Sequence, residues 1–269
     1  MKRIFSFLVA LILVSSSFGV VSAQENLRSV DEIKAEIREV QWELDREILK
    51  NQISHRTADN ITQEEKIQKE KELLPIKDKL ADLDYELAKH EWRVINLREN
   101  KYQTRWTWAP PFYPKPGDIF VYYYWEGGSG SLPLSWWHAN VFIKNNIIFD
   151  VPWNTWIDRW NSRYQTFDSY FGRTGAKRVA VISMDLTKGE TSMLARYVQN
   201  NLYNKPYRDP EWAWANKNST DKIYCSQSVW LAYLNWVRFV DLDMDGWFIV
   251  WPVDLINWQI YGKVRYYDL

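Results

Sequence analysis

Residues 224–234 read YCSQSVWLAYL and contain Cys225, the one cysteine of the chain. The apolar residues recur at helical spacing, which predicts an amphipathic helix with the thiol in its first turn. Unpaired backbone N–H groups and the helix dipole lower the pKa of a thiol at such a position. Cys225 is therefore a candidate nucleophile, although a lone thiol also fits an inert buried residue or an intermolecular bridge.

A histidine and a carboxylate follow each other in the preceding part of the chain. Residues 139–143 and 147–151 are rich in β-branched and aromatic residues, and a short polar turn joins them. They predict a hairpin of two strands, which brings His138 roughly opposite the region of Asp150. A carboxylate there can hold the imidazole in one tautomer, which is the role of the third group in a nucleophile–base–carboxylate site.

Alternatives to this site stay open from the residues alone. His138 also fits a packing histidine beneath two tryptophans, and Asp150 fits a residue that caps the end of the hairpin. Asp158 and Asp168 are rival partners for the imidazole.

An acidic turn imitates the start of a calcium-binding loop. Asp241, Asp243 and Asp245 alternate along the chain and Gly246 follows, but the twelfth position holds Pro252 instead of the glutamate of an EF-hand. The sequence therefore predicts a plain acidic turn there, and we expect neither a metal nor a cofactor.

The N-terminus predicts a secretory signal peptide over residues 1–23. Two basic residues precede an apolar run over residues 4–14, and small residues lead to a cleavage site after Ala23. An uncleaved membrane anchor is the alternative. We expect the mature protein to be secreted or held in the cell envelope, where paired cysteines oxidise and a single cysteine cannot form an internal disulfide.

Charge and aromatic content narrow the possible partners. The chain has 34 basic and 34 acidic residues, so its formal net charge is zero and we expect no nucleic-acid partner. It also has 17 tryptophans, most of them after residue 105. Tryptophan faces bind peptides, sugars and acyl chains alike, so this excess favours binding without naming a ligand.

Residues 27–105 predict a helical hairpin or short coiled coil. Capping boxes over residues 29–32 and 62–65 open two helices, and an apolar seam continues through Val94 to Leu97. Pro75 should kink or split the second helix. The apolar seam can be buried within the hairpin, against the rest of the chain or by self-association.

Residues 106–269 predict a separate α+β domain. Strands are expected over residues 119–124, 177–183 and 260–267, together with the hairpin, and helices over residues 187–203 and 225–236. The proline-rich stretch over residues 110–116 predicts a boundary that few contacts cross, so that the helical hairpin can be removed.

The order of these motifs resembles a known family. Pro116-Gly117-Asp118-Ile119, then His138 at a strand start, then the polar Asp150, then Cys225 at a helix start are similar to the circularly permuted NlpC-type papain-like hydrolases. The YiiX/YebB-like cysteine hydrolases, relatives of lecithin–retinol acyltransferase, are the subgroup that the chain resembles. The resemblance covers residues 116–256 and implies a permuted papain-like domain behind the helical hairpin.

The resemblance also implies an activity. Cys225 would attack a carbonyl, His138 would transfer the proton and Asp150 would orient His138, through an acyl-enzyme intermediate. The implied substrate is an amide in cell-wall peptide, with an acyl lipid second. Asn140 departs from the glycine that the family often has there. A non-catalytic binding or scaffold module and a lipid acyltransferase are the rival interpretations.

Overall fold

The computed structural model describes most of the chain, namely residues 28–57, 62–96, 114–124, 136–144, 146–152, 161–171, 175–208, 217–237, 240–243, 245–246, 249–257 and 263–269. The expected signal peptide over residues 1–23 and the rival carboxylate Asp158 lie outside these ranges. No helix within these ranges has both the length and the apolar content to cross a bilayer.

Helices and strands alternate irregularly along the described residues. The helices are α1 (Val30–Thr57), α2 (Gln63–His90), α3 (Phe167–Phe171), α4 (Lys188–Tyr197, continued by a π-helical turn over Val198–Leu202), α5 (Cys225–Trp236) and α6 (Pro252–Asn257). The strands are β1 (Val94–Asn96), β2 (Ile119–Tyr123), β3 (Trp136–Lys144), β4 (Ile147–Asp150), β5 (Arg163–Thr166), β6 (Arg178–Ser183) and β7 (Lys263–Asp268).

Helices α1 and α2 form an antiparallel pair. Arg28, just before α1, contacts Glu86 near the end of α2 at 3.1 Å. Both capping boxes form as the sequence predicts, because the Ser29 and Thr62 hydroxyls accept the N–H groups three residues on. Pro75 lies inside α2 without splitting it. The apolar seam between the helices is buried; its core is Ile33, Val40, Leu44, Leu73, Leu80, Leu83 and Leu87.

The strands within the described residues form one seven-stranded sheet in the order β1-β7-β6-β2-β3-β4-β5. Strand β1 runs parallel to β7, and the other neighbours are antiparallel. This mixed architecture confirms the predicted α+β class. The sequence predicts Val94 on a helical seam, but α2 ends at His90 and Trp92 turns the chain with a φ of 57°. Val94 instead pairs with Tyr266 in β7.

The helical pair and the sheet share a core. One face of α2 contributes to the same buried cluster as β2, β3 and α5. At the sheet, the Tyr85 hydroxyl donates to Asp268 at 2.8 Å, and the Arg178 guanidinium stacks on the Tyr85 ring at 3.3 Å. The expectation that few contacts cross from residues 27–105 into the rest of the chain is therefore wrong, because apolar residues of α2 need the sheet and α5 to cover them. They are Leu74, Ala81, Tyr85 and Ala88.

The acidic turn after α5 binds protein side chains. Asp241 accepts the indole N–H of Trp230 at 2.7 Å. Asp243 forms an ion pair with Lys217, and Asp245 contacts Lys77 of α2 at 2.5 Å. Among the residues that the structure describes, no group of three or more histidine, cysteine or carboxylate side chains is arranged to hold a metal ion.

Candidate active site

The first turn of α5 fixes the position of Cys225. Gln227, which is fully buried, accepts the backbone N–H of Tyr224 at 3.2 Å through its side-chain oxygen. Its amide nitrogen donates to the carbonyls of Lys217 at 2.6 Å and Ser219 at 3.0 Å. These bonds tie the start of the helix to the preceding loop, so the thiol is held at the N-terminal end of α5, as the sequence predicts.

The structure brings His138 and Asp150 together. His138 lies in β3 opposite Tyr122 of β2, and Asp150 ends the neighbouring strand β4. The His138 Nε2 atom lies 2.7 Å from Asp150 Oδ1, and both side chains are buried. Because Nε2 is engaged by the carboxylate, Nδ1 is the nitrogen left for the hydrogen bond that joins His138 to Cys225.

A residue that the sequence analysis missed holds the other oxygen of Asp150. The Gln165 side-chain nitrogen donates to Asp150 Oδ2 at 2.6 Å. In the pairing of β4 with β5, Asp150 faces Arg163 and Ile148 faces Gln165, so Gln165 reaches Asp150 diagonally on the same face of the sheet. A second hydrogen bond leaves the carboxylate little freedom to rotate away from the imidazole.

The electrostatics of Cys225 favour the thiolate. Burial alone would raise the pKa of the thiol, but the charge of His138 and the hydrogen bond from it act in the opposite direction. The backbone N–H groups of Ala139 and Ser226 also donate to the sulfur. The net result is a thiol pKa below its ordinary value.

His138 is the complementary partner. Burial alone would lower the pKa of the imidazole, yet the charges of Asp150 and Cys225, and hydrogen bonds to both, raise it to about 10. A raised imidazole pKa and a lowered thiol pKa together favour a thiolate–imidazolium pair. Such a pair supplies a nucleophile and, next to it, a proton donor for a leaving group.

Tyrosine side chains surround the imidazole. The Tyr122 and Tyr170 rings lie 5.8 Å and 6.0 Å from the His138 ring between centroids. The amide of Asn140 donates to the Tyr122 hydroxyl at 3.1 Å. Asn140 is therefore a buried partner of Tyr122 on the side of the sheet next to the site. His138 and Asp150 are buried beside these rings, and an attraction between charges is stronger in such surroundings than in water.

The rival carboxylate Asp168 is engaged elsewhere. Asp168 lies in the first turn of α3. Its carboxylate accepts from the Asn146 side chain at 2.8 Å, and its backbone N–H donates back to the Asn146 oxygen at 3.2 Å. Both contacts are exposed to solvent. Asp168 thus caps a turn, whereas Asp150 contacts His138.

Comparisons with known proteins give little further guidance. No protein-family model matches the chain. No curated protein matches it either. Among solved structures, the chain is similar to the metalloprotein YiiX from Escherichia coli O157:H7, with 16% sequence identity over 58% of this chain and 88% of YiiX and a TM-score of 0.35. A structural likeness this low carries no inference about fold or function.

Proposed function

We propose that the protein is a cysteine hydrolase in which Cys225 is the nucleophile, His138 the proton-transfer group and Asp150 the residue that orients His138. We further propose that residues 106–269 have a permuted papain-like arrangement, with α2 completing its core, since the histidine and the carboxylate precede the cysteine in the chain. The expected signal peptide extends the proposal to a secreted or cell-envelope enzyme.

One observation supports the proposal most strongly. Cys225 is only 6% exposed, and a thiol in such surroundings would ordinarily have a raised pKa, yet its pKa is lowered. The decrease comes from His138 and from two backbone N–H groups, and Asp150 and Gln165 hold that histidine in turn. An inert buried cysteine needs none of these partners.

The proposed reaction has two stages, in which Cys225 is first acylated and the resulting thioester is then hydrolysed. The Cys225 thiolate attacks the substrate carbonyl carbon, a carbon–sulfur bond forms, and the bond from that carbon to the leaving amine breaks. The His138 imidazolium gives its proton to the departing nitrogen. His138, now neutral, takes a proton from water, the resulting hydroxide attacks the thioester, and the Cys225 thiolate is released. Asp150 keeps its charge throughout and stabilises the imidazolium at both stages.

We propose an amide in cell-wall peptide as the substrate, because the resemblance found in the sequence implies it. An acyl lipid is the second candidate, and transfer of the acyl group to another acceptor is the second reaction. Each of them passes through a thioester on Cys225, and the acyl group on the sulfur depends on the substrate.

Intact-mass analysis tests the proposal. The full chain is incubated with peptidoglycan fragments in one arm and with phospholipid vesicles in another, and each is quenched in acid to preserve a thioester. In the peptidoglycan arm we expect a mass increase that maps to Cys225. We also expect the amine product to be released in that arm. The Cys225→Ala protein is the matched control and should show neither adduct nor product.

Each outcome has a defined meaning. An adduct in the lipid arm alone would replace the peptide substrate with an acyl lipid and leave the mechanism standing. Equal product release by the Cys225→Ala protein would overturn the covalent mechanism. Tight binding of either substrate with neither adduct nor turnover would favour the non-catalytic binding module.

A further inference from the structure

Helix α2 contacts a short segment that borders the cysteine helix. Glu70 of α2 is fully buried, and its Oε1 atom accepts the backbone N–H of Ile249 at 2.9 Å. The next backbone N–H, that of Val250, donates to the Tyr224 hydroxyl at 3.0 Å. The Val250 carbonyl accepts from the Ser226 hydroxyl at 2.6 Å. Residues 249 and 250 therefore join α2 to the two residues that flank Cys225.

A second side chain of α2 fixes the other end of the same segment. Lys77 lies about two helical turns after Glu70, on the same face of the helix. Its fully buried ammonium contacts Asp245 at 2.5 Å and Asp254 at 2.7 Å. Asp254 in turn accepts the backbone N–H of Trp251 at 2.7 Å. Residues 249–254 are thus tied to α2 at both ends.

The contact with Ser226 gives this link a chemical consequence. The Ser226 backbone N–H is one of the groups that stabilise the Cys225 thiolate, and the Ser226 side chain is tied to Val250. Burial, and to a lesser degree the charge of Glu70, raise the pKa of the Tyr224 phenol, so its hydroxyl stays protonated between the two elements. A shift of residues 249–251 would move the Ser226 N–H relative to the sulfur.

We propose that the helical pair is a positioning element for Cys225, with Glu70 and Lys77 as positioning residues that act through residues 249–254. The helices then set the reactivity of the thiol through this segment. The catalytic meaning of this proposal rests on the proposed function, but the reactivity of the thiol can be measured whether or not the protein hydrolyses anything.

The test is the pH dependence of Cys225 alkylation by iodoacetamide in the full chain. Glu70→Leu removes the acceptor of the Ile249 N–H, and we expect the midpoint of the alkylation profile to rise by about 1 pH unit. The direction of the shift in the alkylation midpoint distinguishes two effects of this substitution. Loss of the negative charge of Glu70 would by itself favour the thiolate and lower the thiol pKa, so an upward shift reports displaced hydrogen-bond donors.

Further variants separate positioning from general loss of stability. Leu83→Ala weakens the seam between the two helices, and Leu83 belongs to the cluster that those helices bury between themselves. It should lower the melting temperature and leave the alkylation midpoint unchanged. Glu70→Gln retains an acceptor for Ile249, so the alkylation midpoint should stay unchanged or fall. This variant can still be measured if Glu70→Leu does not fold.

Tyr224→Phe probes the link from the opposite side. It removes the acceptor of the Val250 N–H, and we expect an upward shift like that of Glu70→Leu, with the double variant shifted no further than either single one. The proposal is overturned if Glu70→Leu has the wild-type profile, or if Leu83→Ala shifts it equally. A His138→Ala profile identical to wild type would instead sink the proposed function, so the two failures are distinguishable.

Discussion

His138 Nε2 and Asp150 Oδ1 lie 2.7 Å apart, although the two residues do not face each other in the strand register. In the pairing of β3 with β4, Val141 faces Phe149, so Asp150 continues the register opposite Asn140, and His138 lies two residues further along β3. Their contact crosses from β3 to the end of β4 on one face of the sheet. The orientation of the imidazole toward Cys225 therefore depends on the end of β4, which carries Asp150, and on Gln165, which holds the Asp150 carboxylate.

Asp150→Asn should lower turnover by about 10²-fold and change its pH dependence. The charge of Asp150 is the largest influence that raises the pKa of His138, which is about 10 in the native protein. Its removal lowers that pKa, so the alkaline limb of the pH–rate profile should move to lower pH. Asp168→Asn is the matched control, and a shifted limb in that variant with none in Asp150→Asn would reassign the orienting residue.

Gln165→Leu should lower kcat by about 10-fold and leave KM unchanged, because Gln165 holds Asp150 and does not contact the reacting atoms. Gln165→Glu should be worse at high pH and partly recover at low pH, since two adjacent carboxylates can then share a proton. Steady-state kinetics across pH measures both effects. Thr166→Val, an exposed change on the same strand, is the control, and equal losses in that variant would remove the special role of Gln165.

Cys225→Ala should abolish hydrolysis while the fold persists. Replacement of a buried thiol by a methyl group removes little volume, so we expect a change of no more than about 1–2 kcal/mol in the free energy of unfolding. Circular dichroism and thermal unfolding check the fold, and product release checks activity. Hydrolysis at the wild-type rate in a folded Cys225→Ala protein cannot be reconciled with a thiol nucleophile.

Lys77→Met should cost about 3–5 kcal/mol of unfolding free energy, because it leaves Asp245 and Asp254 buried without their cation. Lys79→Met is the matched control from the same helix. Lys79 contacts Glu36 with 55% of its side chain exposed, so its loss should cost less than about 1 kcal/mol. Urea unfolding measures both, and equal costs would mean that the buried pair contributes no more than a surface one.

Local signals made the cysteine helix and the β3–β4 hairpin predictable. The spacing of apolar residues after Cys225 and the polar turn between the two strands act over a few residues, so the sequence alone contains them. The same holds for the capping boxes at Ser29 and Thr62, which form as predicted.

Contacts between distant parts of the chain were not predictable in this way. The strand that carries Gln165 reads RYQT, without the apolar alternation that marks a half-buried strand. The lysine at position 77 reads as a solvated helix residue until the fold brings Asp245 and Asp254 to it. The link from α2 to the cysteine helix passes through backbone N–H groups, which no pattern of side chains records.

The most direct test of the central claim is the alkylation of Cys225 as a function of pH in the wild-type and His138→Ala proteins. Cys225 is the one thiol in the chain, so the rate reports this site alone. We expect the wild-type thiol to react with a midpoint below the ordinary thiol pKa of 9.0, and the midpoint in His138→Ala to rise to that value or above it. Superimposable profiles in two folded proteins would contradict the thiolate–imidazolium pair and the mechanism built on it.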